Sequence, residues 1–434
     1  MGNYIQLWKD LFKQVTSGPR IYFLWLTFLG IMILIGINGY LQQMEKGLIV
    51  TNMTDQVSWG AYIANFTYIV GLAAAAVMLV IPAYIYKIKA VKEIVFVGEF
   101  LAIAAVIMCL LFVMVDMGRP DRLWHIIPFI GKMNWPLSIL SWDVIVLNVY
   151  LLLSLHIPSY LLYKKYMGEP PDDNYYKPFV YISIFWAISI HTVTAFLYCG
   201  LGGRPFWNTA ILAPRFLASA FAVGPSLILL TLQIMQKTAS FPVKDEAYVI
   251  LKRITTVALI INLFLLGCEI FKEFYTDSAH SSSARYLFLG LDGHNLLVPY
   301  IWTAVAFNVI ATLIFSIPEL RENRGYLNMA CVLAIVGIWI EKGMGLIIPG
   351  FIPSPLGDIV EYTPSLIEIQ VCAGIWAVGA FLFTISLKTS IPIETGELRF
   401  GSLGHPQGSP TKFSHRSSEE NLHWSSPKIP PIGF

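Results

Sequence analysis

Several ionisable side chains fall inside stretches that are otherwise apolar: Asp143, His191, Glu269, Glu273, Glu341 with Lys342, and Glu368. A charge within a membrane span is costly, so such residues are rare there unless they pair or act. A carboxylate or a neutral imidazole so placed can take a proton from a membrane-soluble hydroxyl compound or pass one along a relay. Each also has a structural reading. His191 could bond a neighbouring helix, Glu341 and Lys342 could pair with each other, and Glu273 and Glu368 could be wet rim residues. Scattered structural residues should populate both membrane halves, whereas these gather in one. Only Glu99 and His156 lie in the other. A polar pocket opening on one surface accounts for this asymmetry.

The chain is organised around residues 116–143, which run Asp116-Met-Gly118-Arg119-Pro120-Asp121-Arg122-Leu-Trp124-His125 and, after mostly apolar residues, Pro136-Leu-Ser138-Ile-Leu-Ser141-Trp142-Asp143. Long apolar runs flank it. Charges and aromatics therefore sit at a membrane surface and lead back into the bilayer with a carboxylate aboard, predicted about two helical turns down. Arg119 and Arg122 are placed to reach toward it. A second loop, Gly203-Arg204-Pro205 before Trp207, resembles the first; duplication of a helical hairpin or chance would both produce that.

Of 434 residues, 56% are hydrophobic and 13% charged, which excludes a single soluble core and makes an all-α polytopic membrane protein the expectation. A formal net charge of +2 gives no reason to expect nucleic acid. Cys109, Cys199, Cys268, Cys331 and Cys372 form no Cys-x-x-Cys pair, so this spacing builds no iron–sulfur, zinc or c-type haem motif. If electrons are handled, a partner holds the metal.

Ten segments reach the roughly twenty residues that about 30 Å of hydrocarbon requires: 21–42, 60–86, 94–115, 137–163, 178–200, 209–235, 251–275, 295–317, 326–349 and 366–387. Residues 1–20 lack the features of a cleavable signal and have Tyr4, Ile5, Trp8, Leu11, Phe12 and Val15 at helical spacing, as in an amphipathic helix lying in the headgroup layer. Lys and Arg concentrate in the N-terminal segment and the even-numbered connections, which predicts both termini in the cytoplasm. The loops holding Arg119, Arg122, Trp124 and Arg204 then lie outside. Residues 388–434, rich in Ser, Pro, Gly and His, read as a disordered cytoplasmic tail.

Such a pocket suits some chemistries better than others. A b-type haem needs facing histidines at matched depth, but His156 and His191 lie at opposite depths. A quinol site needs an apolar, aromatic slot open to the membrane and a His or carboxylate for each hydroxyl proton. Ion-coupled transport is the alternative, although its sites more often lie at the midplane between broken helices.

The motif Asp116-x-Gly118-Arg119-Pro120-Asp121-Arg122-x-Trp124, with Pro136-x-Ser138 and Ser141-Trp142-Asp143, resembles the signature of the NrfD/PsrC family of integral membrane quinone-interacting subunits. The stretch from His191 through Trp207 to Arg215-Phe216 is similar to that family's next hairpin. Ten spans resemble more closely the DsrP or HmeB type, the membrane subunit of the Hdr-like menaquinol-oxidising, sulfite-reductase-associated complex. The resemblance implies a subunit without haem or iron–sulfur cluster of its own. It would bind menaquinone or menaquinol near the outer face of the cytoplasmic membrane and exchange electrons with an extracytoplasmic iron–sulfur protein. In the narrower likeness the complex also holds a multihaem cytochrome c, a b-type cytochrome membrane subunit and a heterodisulfide-reductase-like subunit. On this reading Asp143 and His191 are the proton partners of the quinone, Trp142 and Trp124 the slot walls, and Arg119, Arg122 and Arg204 the holders of loops or partner. Glu269 and Glu341 are candidates for a proton route. The expected fold is two four-helix bundles, segments two to five and six to nine, with the first and tenth at the periphery.

Overall fold

The computed structural model describes residues 2–127, 130–276 and 281–401, and among these it is helical with no β-strand. An amphipathic helix α1 (Gly2–Val15) precedes ten helices long and apolar enough to cross a membrane. These are α2 (Arg20–Lys46), α3 (Ala61–Ile85), α4 (Val95–Asp116), α5 (Ile139–Met167), α6 (Asp173–Cys199), α7 (Leu212–Ala239), α8 (Asp245–Tyr275), α9 (Val298–Ser316), α10 (Arg324–Phe351) and α11 (Leu366–Glu394). Each corresponds to one predicted segment. Most differences lie at the ends, where polar residues continue a helix past the apolar stretch that reveals it. The C-terminal tail reads differently, because α11 continues to Glu394 beyond the predicted end at 387. Lys388 manages this by turning its ammonium over the Tyr22 ring, 5.3 Å from the centroid. Residues 402–434, most of the predicted tail, lie outside the described residues.

Large apolar side chains such as Leu24, Leu34, Phe185, Phe264 and Leu313 remain exposed on the spans, as a hydrocarbon solvent allows. Helix α3 packs on α4, α5 on α6, α7 on α8 and α9 on α10; α3 and α6 both touch α7, which also meets α10. Helices α2 and α11 pack on each other, and α11 also lies against α4. With ten crossings, the long connections between α4 and α5, α6 and α7, α8 and α9, and α10 and α11 share the face opposite the termini, here called the distal face. On α1, Asp10 is buried and accepts hydrogen bonds from Tyr166 Oη (2.7 Å) and Gln6 Nε2 (2.8 Å). The Tyr4, Ile5, Trp8 and Phe12 face stays exposed, as an interfacial helix requires.

Two spans are irregular. Helix α3 passes through a 3-10 turn (Ala74–Ala76) and a π-helical turn (Ile81–Ile85) that accommodates Pro82. Helix α10 breaks at Gly343, whose missing side chain matters: a Cβ there would lie 2.6 Å from Trp339 O and 3.2 Å from Ala64 O of α3.

The α2–α11 crossing depends on Gly36 and Gly374, since a Cβ on either would come within 2.6 Å of the other's Cα. Close approach through small residues is how membrane helices gain packing without a hydrophobic driving force. Replacing Gly374 with Val should cost about 1–3 kcal/mol, read as a lowered midpoint of thermal unfolding in detergent. An unchanged midpoint would show that this crossing contributes nothing to stability.

Candidate functional site

Asp143 lies four residues into α5, about one turn from the distal end and shallower than the sequence suggests, because the helix begins at Ile139. It is buried, and Thr194 of α6 donates its hydroxyl to Oδ1 at 2.8 Å. Neither Arg119 nor Arg122 reaches it. Arg119 forms a forked pair with its own neighbour Asp121 (Nε to Oδ1 2.9 Å, Nη2 to Oδ2 2.8 Å) and both are exposed, as is Arg122. That guanidinium holds the Asp121 carboxyl below its usual range.

His191 sits on α6, three residues before Thr194, and is completely buried. Its Nδ1 lies 3.0 Å from Ala187 O. A carbonyl only accepts, so this contact favours the tautomer with the proton on Nδ1. Nε2 has no protein partner of good geometry. It faces a cleft lined by Thr67, Tyr68, Gly71, Ser219 and Lys342, with room for about one water molecule. The cleft can seat a proton carrier but not a ring.

The aromatic residues singled out from the sequence do not all converge. Trp142 donates its indole N–H to Pro136 O (2.9 Å) and lies 5.2 Å from the Trp135 ring, while Trp124 stacks on His125 at 3.8 Å; both tryptophans are exposed. Trp207 is fully buried, bonds Leu346 O (2.9 Å) and joins Trp59, Tyr198 and Phe351 in one cluster. Arg204 lies over the Phe351 ring at 4.7 Å and donates to Phe351 O at 3.2 Å, tying its loop to the end of α10.

Glu269 and Glu341 belong to a larger network. Arg215, in the first turn of α7, is buried between them, paired with Glu269 of α8 and with Glu341 Oε1 of α10 at 3.0 Å. Lys342 Nζ lies 2.7 Å from the same Oε1, while Asn308 of α9 (2.9 Å) and Asn262 of α8 (3.3 Å) donate to Oε2. Gly337, one turn before Glu341, makes room for Asn308. A second small cavity joins Arg215, Glu269, Glu273 and Glu341. Lys342 faces the His191 cleft, so the two polar regions meet at this one side chain. On the other side of the midplane, Glu99 lines a small cavity with Tyr150, Ser154 and Ser183.

Glu368, expected at a wet rim, is fully buried. It completes a capping box with Ser365, accepts from the Asn52 backbone at 2.9 Å and bonds Tyr362 Oη. Burial and this carboxylate together push the Tyr362 phenol well above its ordinary range. Among the described residues no group of three or more His, Cys, Asp or Glu has the arrangement to hold a metal ion.

The sequence matches the family described as polysulphide reductase, NrfD, over residues 49–353. The chain belongs to this family. The NrfD match runs from the loop after α2 to just past α10, taking in the buried network and both proton-bearing candidates. The chain is also similar along most of its length to three proteins. It is 23% identical over 405 residues to a putative dimethyl sulfoxide reductase membrane subunit of Halobacterium salinarum, covering 84% of this chain and 90% of that one. It is 22% identical over 392 residues to the Hdr-like menaquinol oxidoreductase integral membrane subunit of Archaeoglobus fulgidus, covering 87% and 95%. It is 22% identical over 415 residues to a selenate reductase subunit of Mesobacillus selenatarsenatis, covering 85% and 93%.

Two residues at the heart of the site, Arg215 and Asn308, are not singled out by the sequence as functional. Replacing Glu341 with Leu leaves Arg215 with Glu269 alone and takes from Lys342 the carboxylate it pairs with, and should destabilise the chain by about 3–5 kcal/mol; Glu341→Gln, which keeps two amide contacts, should cost less. Thermal inactivation midpoints in detergent would show it. Equal midpoints for wild type and Glu341→Leu would rule the network out as a stabilising element.

Proposed function

We propose that this NrfD-family chain is the integral membrane subunit of a respiratory oxidoreductase complex that oxidises menaquinol, or reduces menaquinone, near the outer face of the cytoplasmic membrane. The observation that carries the reading is His191: an imidazole buried in a span, with no protein hydrogen bond at Nε2 and a water-sized cleft beside it. Oxidation of a quinol releases two protons and two electrons. In this reading His191 Nε2 receives one proton through the water-sized cleft, and Asp143, held by Thr194 one turn further along α6, receives the other. The electrons pass to an extracytoplasmic iron–sulfur protein, while this chain supplies protein groups only and binds no haem or cluster of its own. The region of the distal face with the exposed Arg119, Arg122 and Trp124 and the half-buried Arg204 is the docking surface for that partner.

The Archaeoglobus relative's name, a menaquinol oxidoreductase membrane subunit, supports the substrate and the membership of a complex. On the narrower likeness the complex includes a multihaem cytochrome c, a b-type cytochrome and a heterodisulfide-reductase-like subunit and serves sulfite or sulfate reduction. The Lys and Arg distribution supports both termini in the cytoplasm. The contacts of α3 to α6 and of α7 to α10 support two four-helix bundles, with α2 and α11 alongside. Protons leaving His191 have Lys342, Glu341 and Glu269 as an outward route to Glu273, near the distal end of α8.

A second reading, ion-coupled transport, draws on the break of α10 at Gly343 beside the buried ion cluster. Copurification of menaquinone and its quenching of Trp fluorescence separate the two, since a transporter would show neither.

Replacing Asp143 with Asn keeps size and hydrogen bonding but removes the proton acceptor. Quinol oxidation by the assembled complex should fall by roughly 100-fold or more while assembly survives. Near-normal turnover of this variant would exclude the assigned role. In proteoliposomes, the quinol protons should appear outside; uptake of protons from the cytoplasmic side would contradict the outward route.

A further inference from the structure

Two spacious cavities lie away from Asp143. One of about 420 Å³ opens between α3, α9, α10 and α11 toward the distal face; another of about 530 Å³ continues it along α2, α10 and α11 toward the midplane. Trp339, Ala373 and Trp376 line both. The first lies within the roughly 300–1,000 Å³ range of small-molecule sites. Its two tryptophans are fixed by a single atom: Asn65 Oδ1 accepts from Trp339 Nε1 at 3.0 Å and from Trp376 Nε1 at 2.9 Å. Asn65 is itself buried, with its amide nitrogen donating to Ala61 O at 2.8 Å. Both indole N–H groups are thereby satisfied by a residue of the cavity wall, and the walls are held in place before any ligand arrives.

Three features select the occupant. No residue lining either cavity carries a formal charge, so a phosphate headgroup would find no cation to pair with inside. The distal mouth, at Tyr362, Thr363 and Pro364, is amphipathic, whereas the deeper part at Phe28, Leu29 and Met32 is wholly apolar. Last, Tyr68 lines the deeper cavity and also the His191 cleft, its hydroxyl 3.2 Å from Ile335 O. A neutral ring with a long hydrocarbon chain matches this sequence of surroundings.

We propose that this pair of cavities is a membrane-side binding site for an isoprenoid quinol, separate from Asp143. Its ring lies beside the Asn65-fixed tryptophans, its chain runs along α2 and α11, and Tyr68 divides it from the His191 cleft. The site rests on the quinol reading above and adds where the lipid is held. It holds the quinol that the proton step already described consumes, and no proton is transferred within these cavities.

The test uses the protein in lipid nanodiscs and a photoreactive azido-naphthoquinone carrying a short isoprenoid chain. On illumination, adducts are expected on α10 and α11 peptides spanning residues 339–345 and 369–376. Excess menaquinone should lower their yield about tenfold or more, and excess phosphatidylglycerol should not. Ala373→Phe, which fills the wall shared by both cavities, should lower the yield by a similar factor, as about 1–3 kcal/mol of overpacking implies. Adducts elsewhere, adducts that menaquinone fails to displace, or equal displacement by phosphatidylglycerol would overturn the site. The wild-type competition stands even if the variant misfolds. Asp143→Asn separates this proposal from the catalytic one: it should abolish turnover and leave labelling intact. Loss of labelling in that variant, with its fold retained, would show that the two sites are one.

Discussion

A guanidinium inside the bilayer must be neutralised, and most of the second half of this chain is arranged around that requirement. Arg215 alone would be untenable among apolar helices, so α8 brings Glu269 and α10 brings Glu341 to it. The second carboxylate would then be half-used, and Lys342 with Asn262 and Asn308 completes its coordination. Four helices are tied to one polar centre with two cations and two anions, formally neutral as a unit. Breaking α10 at Gly343 ends its helix immediately after Glu341 and Lys342. A nearly continuous span would place the same residues at the same depth but would lack the close approach to Ala64 that Gly343 permits.

The narrow polar cleft and the spacious apolar cavities are kept apart. The His191 cleft admits about one water, while the spacious cavities on the far side of Tyr68 are wholly uncharged. A wide polar cavity would let water into the bilayer and let protons leak along it. On the proposed reading, a base in a narrow cleft and a quinol in an apolar cavity would confine proton movement to the moment when both are occupied. Lys342 links that cleft to the ion network, because it lines the cleft and also bonds Glu341.

The spans were the most legible part of the sequence, since a lipid-buried backbone must satisfy its hydrogen bonds internally and each crossing therefore needs an uninterrupted apolar run. Burial of Asp143 and His191 followed from the same runs. Partnerships were less visible. Arg119 looked free to descend toward Asp143, but Asp121, two residues away, offers a closer carboxylate that no burial cost opposes. Arg215 falls within the predicted segment 209–235 but is not singled out by the sequence as an intramembrane charge; only the approach of α8 and α10 shows it to be the centre of a network. Asn65 carries no charge and breaks no pattern, so its hold on two tryptophans from helices some 270 and 310 positions further along the chain is a property of tertiary structure alone.

The pairing of α2 with α11 has a bearing on how the protein is made. Helix α2 is the least covered of the ten spans, and its tightest contact, Gly36 on Gly374, waits on the last helix, about 320 residues later in the chain. At synthesis rates of about 5–20 residues per second, that interval is roughly 15–65 s. Until then the first span is tied to the chain through Gln43, which accepts from Tyr62 Oη of α3 at 2.7 Å and donates to Val115 O of α4 at 2.6 Å, while its glycine groove stays open to any small-residue partner nearby. During biogenesis that open groove can mispair with a neighbouring nascent protein.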